Sequence, residues 1–183
     1  MEASGSPATG ADLWDTISAD ARRESKLWNS ALRSPEKQDR RQIFSRLGEE
    51  RYALGIETIY EGYLLHYGQP RLFAPEDDDT ALLLGDYLYA HGLVRIEEVG
   101  SVEAVSDLAE LIALSAYLRA EGIAGDGALW AATASTLGLG ELEEGRSRLR
   151  LDNDPSPLER LARTRAGDAA VEHALETHRG RLR

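Results

Sequence analysis

Apolar residues along this chain recur at three- and four-residue intervals, the period of an α-helix with one packed side. Across residues 12–33, Leu13, Trp14, Ile17, Ala21, Trp28 and Leu32 fall near one face with charges between them, which predicts an amphipathic helix. Ser34-Pro35-Glu36 has the form of an N-cap followed by a first turn and restarts the chain. The next helical pattern runs through Ile43, Leu47, Leu54, Ile59 and Leu64 and stops at Tyr67-Gly68. Gly48, Gly55 and Gly62 recur inside it at a spacing of seven, which predicts a stripe of close backbone contact, because each glycine costs about 1 kcal/mol of helix propensity relative to alanine.

Two prolines mark residues 69–78 as a loop, and Asp79-Thr80 can cap a helix from Ala81 to about His91. Ser101 caps another, with a wide apolar face, that ends at Glu121-Gly122. A shorter helix rich in small residues is expected over 127–137 and carries Trp130. The Pro155-Ser156-Pro157 break then precedes a last charged helix over about 158–178. No stretch alternates with period two, so the pattern predicts an all-α chain of about six helices. It divides into a flexible leader at 1–10, a helical domain at 11–145, and a charged C-terminal arm or helix at 146–183.

Composition narrows the chemistry. The 183 residues fit one domain with a sizeable core. The absence of cysteine excludes disulfides, thiolate metal sites and a thiol nucleophile, and points to a reducing cytoplasm. Residues 1–10 lack the basic start and apolar run of a signal peptide. The longest apolar runs, near 81–84 and 112–114, fall far short of the roughly 20 residues a membrane span needs. A net charge of −11 argues against nucleic acid as the main partner. All of that excess lies in residues 57–145, where only Arg71, Arg95 and Arg119 oppose the acids.

Candidate chemistry is sparse. Asp77, Asp78 and Asp79 form an acidic run that reads either as a magnesium site or, with more weight, as negative charge favouring a helix N-terminus. His66 and His91 sit where their helices are expected to close, and His173 and His178 are five apart and share no face. No His-Glu-x-x-His, Gly-x-Ser-x-Gly or phosphate-binding glycine loop occurs.

Three segments are familiar in sequence. Residues 82–90 (LLLGDYLYA) resemble the Leu-x-Gly-Asp-Phe/Tyr-Leu-Leu-Ala-Arg segment of the trans-type polyprenyl diphosphate synthases. Residues 55–66 (GIETIYEGYLLH) are similar to that family's Ala-Ile-Glu-Leu-Ile-His-x-Ala-Ser-Leu-Ile-His, and residues 128–138 (ALWAATASTLG) resemble its later Ala-Leu-Phe-x-Ala-Ala-x-x-Leu-Gly helix. The resemblance implies an isoprenoid-synthase-like helical bundle, truncated at the C-terminus. It also locates what is missing. Where active members place their first Asp-Asp-x-x-Asp, His66 is followed by Tyr67 and Gly68. Where they carry Lys-Thr, this chain has Gly125 and Asp126, an acid in place of a cation.

Ionising a prenyl diphosphate needs magnesium and basic groups around the developing charge, and the acidic middle of this chain is ill suited to that. The resemblance therefore implies a catalytically incompetent relative, with no cofactor. It would serve as partner or regulatory subunit of a synthase in a homo- or hetero-oligomer, with Leu88, Leu108, Leu111, Ser115 and Leu118 as interface candidates. Three alternatives stay open: a binder of a prenyl lipid or quinone, a divergent magnesium-dependent prenyltransferase, and an adaptor in a larger complex.

Overall fold

The computed structural model describes residues 10–183, with side chains from Leu13 onward. The expected leader lies outside the described residues apart from Gly10, which opens the first helix. Nine α-helices follow among the described residues: α1 (Gly10–Glu24), α2 (Lys26–Ala31), α3 (Ala53–Tyr67), α4 (Asp78–Val99), α5 (Val102–Glu121), α6 (Asp126–Ser135), α7 (Glu143–Asp152), α8 (Ser156–Ala166) and α9 (Asp168–Arg179). No strand forms there; only isolated bridges join Leu32 to Phe73 and Gly68 to Leu182. None of the described helices is long and apolar enough to cross a membrane.

The centre of the fold is α3, buried on every side from Gly55 to Leu65. An all-round apolar helix belongs inside a protein, and this one separates two packed regions. On one side Trp14 and Ile17 of α1 meet Leu84 and Leu88 of α4. On the other, Tyr60 and Tyr63 meet Trp130 of α6, Leu111 and Leu118 of α5, and Leu158, Ala162 and Val171 of α8 and α9. The glycine spacing has a counterpart here. Gly55 and Gly62 of α3 face Gly92 and Gly85 of α4, and a Cβ on Gly62 would stand 2.8 Å from the Gly85 carbonyl oxygen. The backbones are thus too close for any side chain, so this helix pair requires glycine at its crossing.

Several expected boundaries shift, each for a local reason. The first predicted helix breaks at Ser25, whose hydroxyl accepts from Leu27 N–H at 3.0 Å and caps α2. Helix α3 begins only at Ala53, because Ile43 and Ser45 donate their backbone N–H groups to Glu57 at 3.1 and 3.3 Å. Ser34-Pro35-Glu36 opens a single 3₁₀ turn, Pro35–Lys37. Helix α4 continues past His91 to Val99, since Gly92 is a packing glycine rather than a stop.

The C-terminal third differs most from expectation. Helix α7, with only Gly145, Arg146 and Leu149 buried, was hidden by its charge. Gly167, at φ 87°, separates α8 from α9 where one helix is expected. These helices are no free arm: Leu149, Leu158, Ala162, Val171 and Ala174 complete the main core. The interior also claims the expected interface residues. Leu88, Leu108, Leu111, Ser115 and Leu118 are each at most 1% exposed, so they pack inside this chain and offer no surface to a partner.

Candidate functional site

Two buried polar clusters flank α3, and their positions on it follow from helical spacing. Glu57 and Glu61, four apart, share one face; Tyr60, Tyr63 and Tyr67 follow another.

The carboxylates of Glu57 and Glu61 are fully buried and clasp Arg71 from the loop after α3, at 2.5 and 3.0 Å. Every remaining oxygen is used. Glu57 also accepts from Ile43 N–H, Ser45 N–H and Ser45 Oγ, and Glu61 accepts from Leu72 N–H at 2.7 Å. The Arg71 guanidinium lies over the Trp14 and Tyr60 rings, 4.7 and 5.0 Å from their centroids. With no free group, this cluster anchors the loop and the N-terminal helix to α3.

The second cluster opens onto a cavity. The Tyr63 hydroxyl donates to Asp126 Oδ2 at the start of α6, and Gly127 N–H donates to Asp126 Oδ1 at 3.1 Å. Arg119 Nε, from the end of α5, is 3.8 Å from Asp126, while its Nη2 donates to the Tyr67 carbonyl at 3.3 Å. His178, in the last turn of α9, places Nδ1 2.9 Å from the Tyr60 hydroxyl and Nε2 3.5 Å from Asp126. Burial opposes ionisation of Asp126, but the contacts with His178 and Tyr63 and the charge of Arg119 prevail and hold its pKa at about 2. Burial pushes the Tyr60 and Tyr63 phenols well above their ordinary value, so both hydroxyls keep their protons.

Beside this cluster lies a cavity of about 440 Å³ between α5, α6, α8 and α9, walled by Leu118, Ile123, Ala128, Leu175 and Leu182. Arg119, Asp126, Glu159, His178 and Arg179 supply its polar lining. Apolar walls with a few polar groups are the arrangement of a small-molecule binding site.

The structure brings the two sets of expected motif positions together. Tyr67 and Gly68, at the end of α3, connect to Gly125 and Asp126 through Arg119 and Tyr63. The chain end closes over the same place, where Gln69 N–H donates to the Arg181 carbonyl at 2.9 Å and Arg183 N–H to the Tyr67 carbonyl at 3.2 Å. His66 points elsewhere, with Nε2 3.2 Å from Asp86 and its ring stacked on Tyr89, and burial pushes its pKa down against the pull of Asp86. His91 closes no helix; it lies inside α4 and reaches Asp20 at 3.3 Å.

Asp77 caps α4, accepting from Thr80 N–H at 2.7 Å and from Thr80 Oγ1 at 3.0 Å. Asp78 and Asp79 occupy the first turn. No group of three or more carboxylates and imidazoles gathers as a metal site among the described residues. Magnesium does not fit the motif positions either: Tyr67, Gly68 and Gly125 offer no carboxylate, which leaves Asp126 alone against the several oxygen ligands the ion requires.

Sequence reasoning missed His178 and Tyr63 as members of one site. Tyr63 carried a signal, a phenol among the apolar residues of a helix the pattern buries, whereas His178 is distant in sequence and lies in a stretch that reads as charged surface. Comparison with known protein families, with curated proteins and with solved structures gives no match.

Proposed function

We propose that this chain is a non-catalytic relative of the trans-type polyprenyl diphosphate synthases, acting as a partner or regulatory subunit. One observation supports the reading above the others. The positions that would carry magnesium and diphosphate in an active synthase, Tyr67-Gly68 and Gly125-Asp126, are tied into an internal network with Tyr63, Arg119 and the chain end. A diphosphate entering there would meet an ionised Asp126 and a hydrogen-bonded backbone, with Arg119 already engaged by the Tyr67 carbonyl and by Asp126.

A partner has a surface to use. On the outward side of α4, Leu82, Leu83 and Val94 are 52%, 56% and 54% exposed, and these side chains form no part of either core cluster. Mixing the purified chain with a full-length trans-prenyl synthase from the same cell should give a complex by light scattering and alter the distribution of product chain lengths. Leu83→Asp with Val94→Asp should abolish both effects without loss of folding, because both sites face water. A mixture that stays dissociated, or a complex indifferent to the double substitution, contradicts the reading.

A further inference from the structure

Basic residues from the two ends of the chain, outside its acidic middle, meet in the fold. A cavity of about 270 Å³ is lined by Arg40, Arg41 and Arg46 from the segment ahead of α3, by His173 and Thr177 of α9, and by Trp14 of α1. Its lining holds no carboxylate, whereas the larger cavity beside α6 contains Asp126 and Glu159. In a chain of net charge −11 this is a local reversal of sign.

The contacts that set the arginines in place do not use them up. Arg40 reaches Gln38 Oε1 at 3.1 and 3.0 Å and Asp15 at 2.8 Å, through Nε and Nη2. Arg41 makes a two-pronged bond to Asp39 through the same two nitrogens, at 2.8 and 2.6 Å. Each guanidinium thus keeps its Nη1 hydrogens for a further acceptor. Asp39 is shared, because Arg181 also pairs with it. Arg46 has no hydrogen bond or ion pair among the described residues. Its backbone is nevertheless fixed: it lies in the 3₁₀ turn Ser45–Leu47, whose other two residues are buried, and Glu57 accepts from Ser45 N–H.

Four guanidiniums, those of Arg40, Arg41, Arg46 and Arg181, therefore answer to two carboxylates, Asp15 and Asp39. The excess is open to solvent, since the Arg41 side chain is 71% exposed and Arg46 also faces water. We propose that this cavity binds a small phosphomonoester, with its dianionic phosphate held by the guanidiniums of Arg40, Arg41 and Arg46.

Phosphate supplies both the charge and the several oxygens that neighbouring guanidinium forks can share, and arginine suits it by geometry as well as by sign. The His173 ring can add one N–H donor. The volume falls just below the range of about 300–1,000 Å³ for drug-sized ligands, which leaves room beside Trp14 for a body of a few carbon atoms. At about 0.1 M salt the acidic remainder of the surface is screened beyond about 10 Å, so the cations at the cavity decide what enters. The site shares no residue with the α4 surface proposed for a partner, and each can fail without the other.

The test titrates glycerol 3-phosphate, inorganic phosphate and glycerate into the protein at pH 7.5 by calorimetry, and follows the Arg46 Nε–H and His173 ring resonances. Both phosphates should bind saturably and shift these resonances, with glycerate at least about tenfold weaker. Arg46→Gln should weaken glycerol 3-phosphate binding by about tenfold or more, the loss expected for one charge-assisted hydrogen bond, and keep the fold, because the side chain it replaces is exposed and unpaired. Arg148→Gln removes the same charge from an exposed position on α7 and should leave affinity unchanged. Vesicles of phosphatidylcholine with phosphatidic acid should not retain the protein. The proposal is overturned if neither phosphate binds, if glycerate binds as tightly, if the resonances stay still, or if the protein binds the vesicles and not the soluble phosphates. It is equally overturned if Arg46→Gln has no effect or if Arg148→Gln weakens binding as much, which would mark an adventitious ion only.

Discussion

Arg71→Met lowers the folding free energy by about 3–5 kcal/mol, the expected cost of leaving buried charges without their partner. The substitution removes one guanidinium from between two carboxylates that have no access to water. It also frees the loop that Arg71 fixes through the Arg41 and Glu57 carbonyls, at 3.0 and 3.3 Å. Arg71→Lys should recover only part of the loss, because one ammonium cannot span both acids and both carbonyls as the planar fork does. The triple variant Arg71→Met, Glu57→Gln, Glu61→Gln should be markedly more stable than Arg71→Met alone, since the stranded charges are gone. Urea unfolding of the parent and the three variants checks this. A loss below about 1 kcal/mol for Arg71→Met would show that the carboxylates reach water in the folded state.

Asp126 gives the chain an acid-sensitive site on the other side of α3. Its folded pKa is about 2 against an ordinary 3.8, so the folded state binds the proton more weakly than the unfolded state does. The associated stability, about 2 kcal/mol at 1.36 kcal/mol per pKa unit, is fully present above about pH 4. It declines as the pH falls through the interval from 3.8 to about 2. Asp126→Asn should therefore cost about this much at pH 6, and the gap between the two proteins should close toward pH 2. Denaturant midpoints measured across that range check both the size and the sign. A gap that stays constant with pH would mean that Asp126 acts by shape alone.

These two residues also mark what the sequence made legible. The helical period predicted an all-α chain, and the run of apolar residues through Ile56, Ile59 and Leu64 identified the helix that became the centre. The spacing of Gly55 and Gly62 predicted close backbone contact, although the facing glycines, Gly85 and Gly92, read as part of a motif and as a helix end. Gly48, the third of that series, lies outside α3 and presses against the Ala134 carbonyl of α6 instead.

The site was less legible because its parts are far apart in the chain. Tyr60 and His178, hydrogen-bonded in the fold, are 118 residues apart, and no local period links them. Arg71 stood out only as one of three basic residues in the acidic middle of the chain, and its enclosure by two glutamates on α3 shows in the fold alone. The C-terminal helices misled for a different reason. Their buried faces are narrow, with Leu158 and Ala162 on α8 and Val171, Ala174 and His178 on α9, so charge dominates their composition while a few apolar residues decide their placement.

Asp126 also bears on the proposed loss of catalysis, because on that reading its negative charge stands where a prenyl diphosphate would need a cation. The most direct measurement is chain elongation by the purified protein alone, supplied with geranyl diphosphate, isopentenyl diphosphate and magnesium, with pyrophosphate release followed over time. No product above the enzyme-free control is expected, with Asp126→Asn equally inactive. Sustained elongation by the purified chain would contradict it.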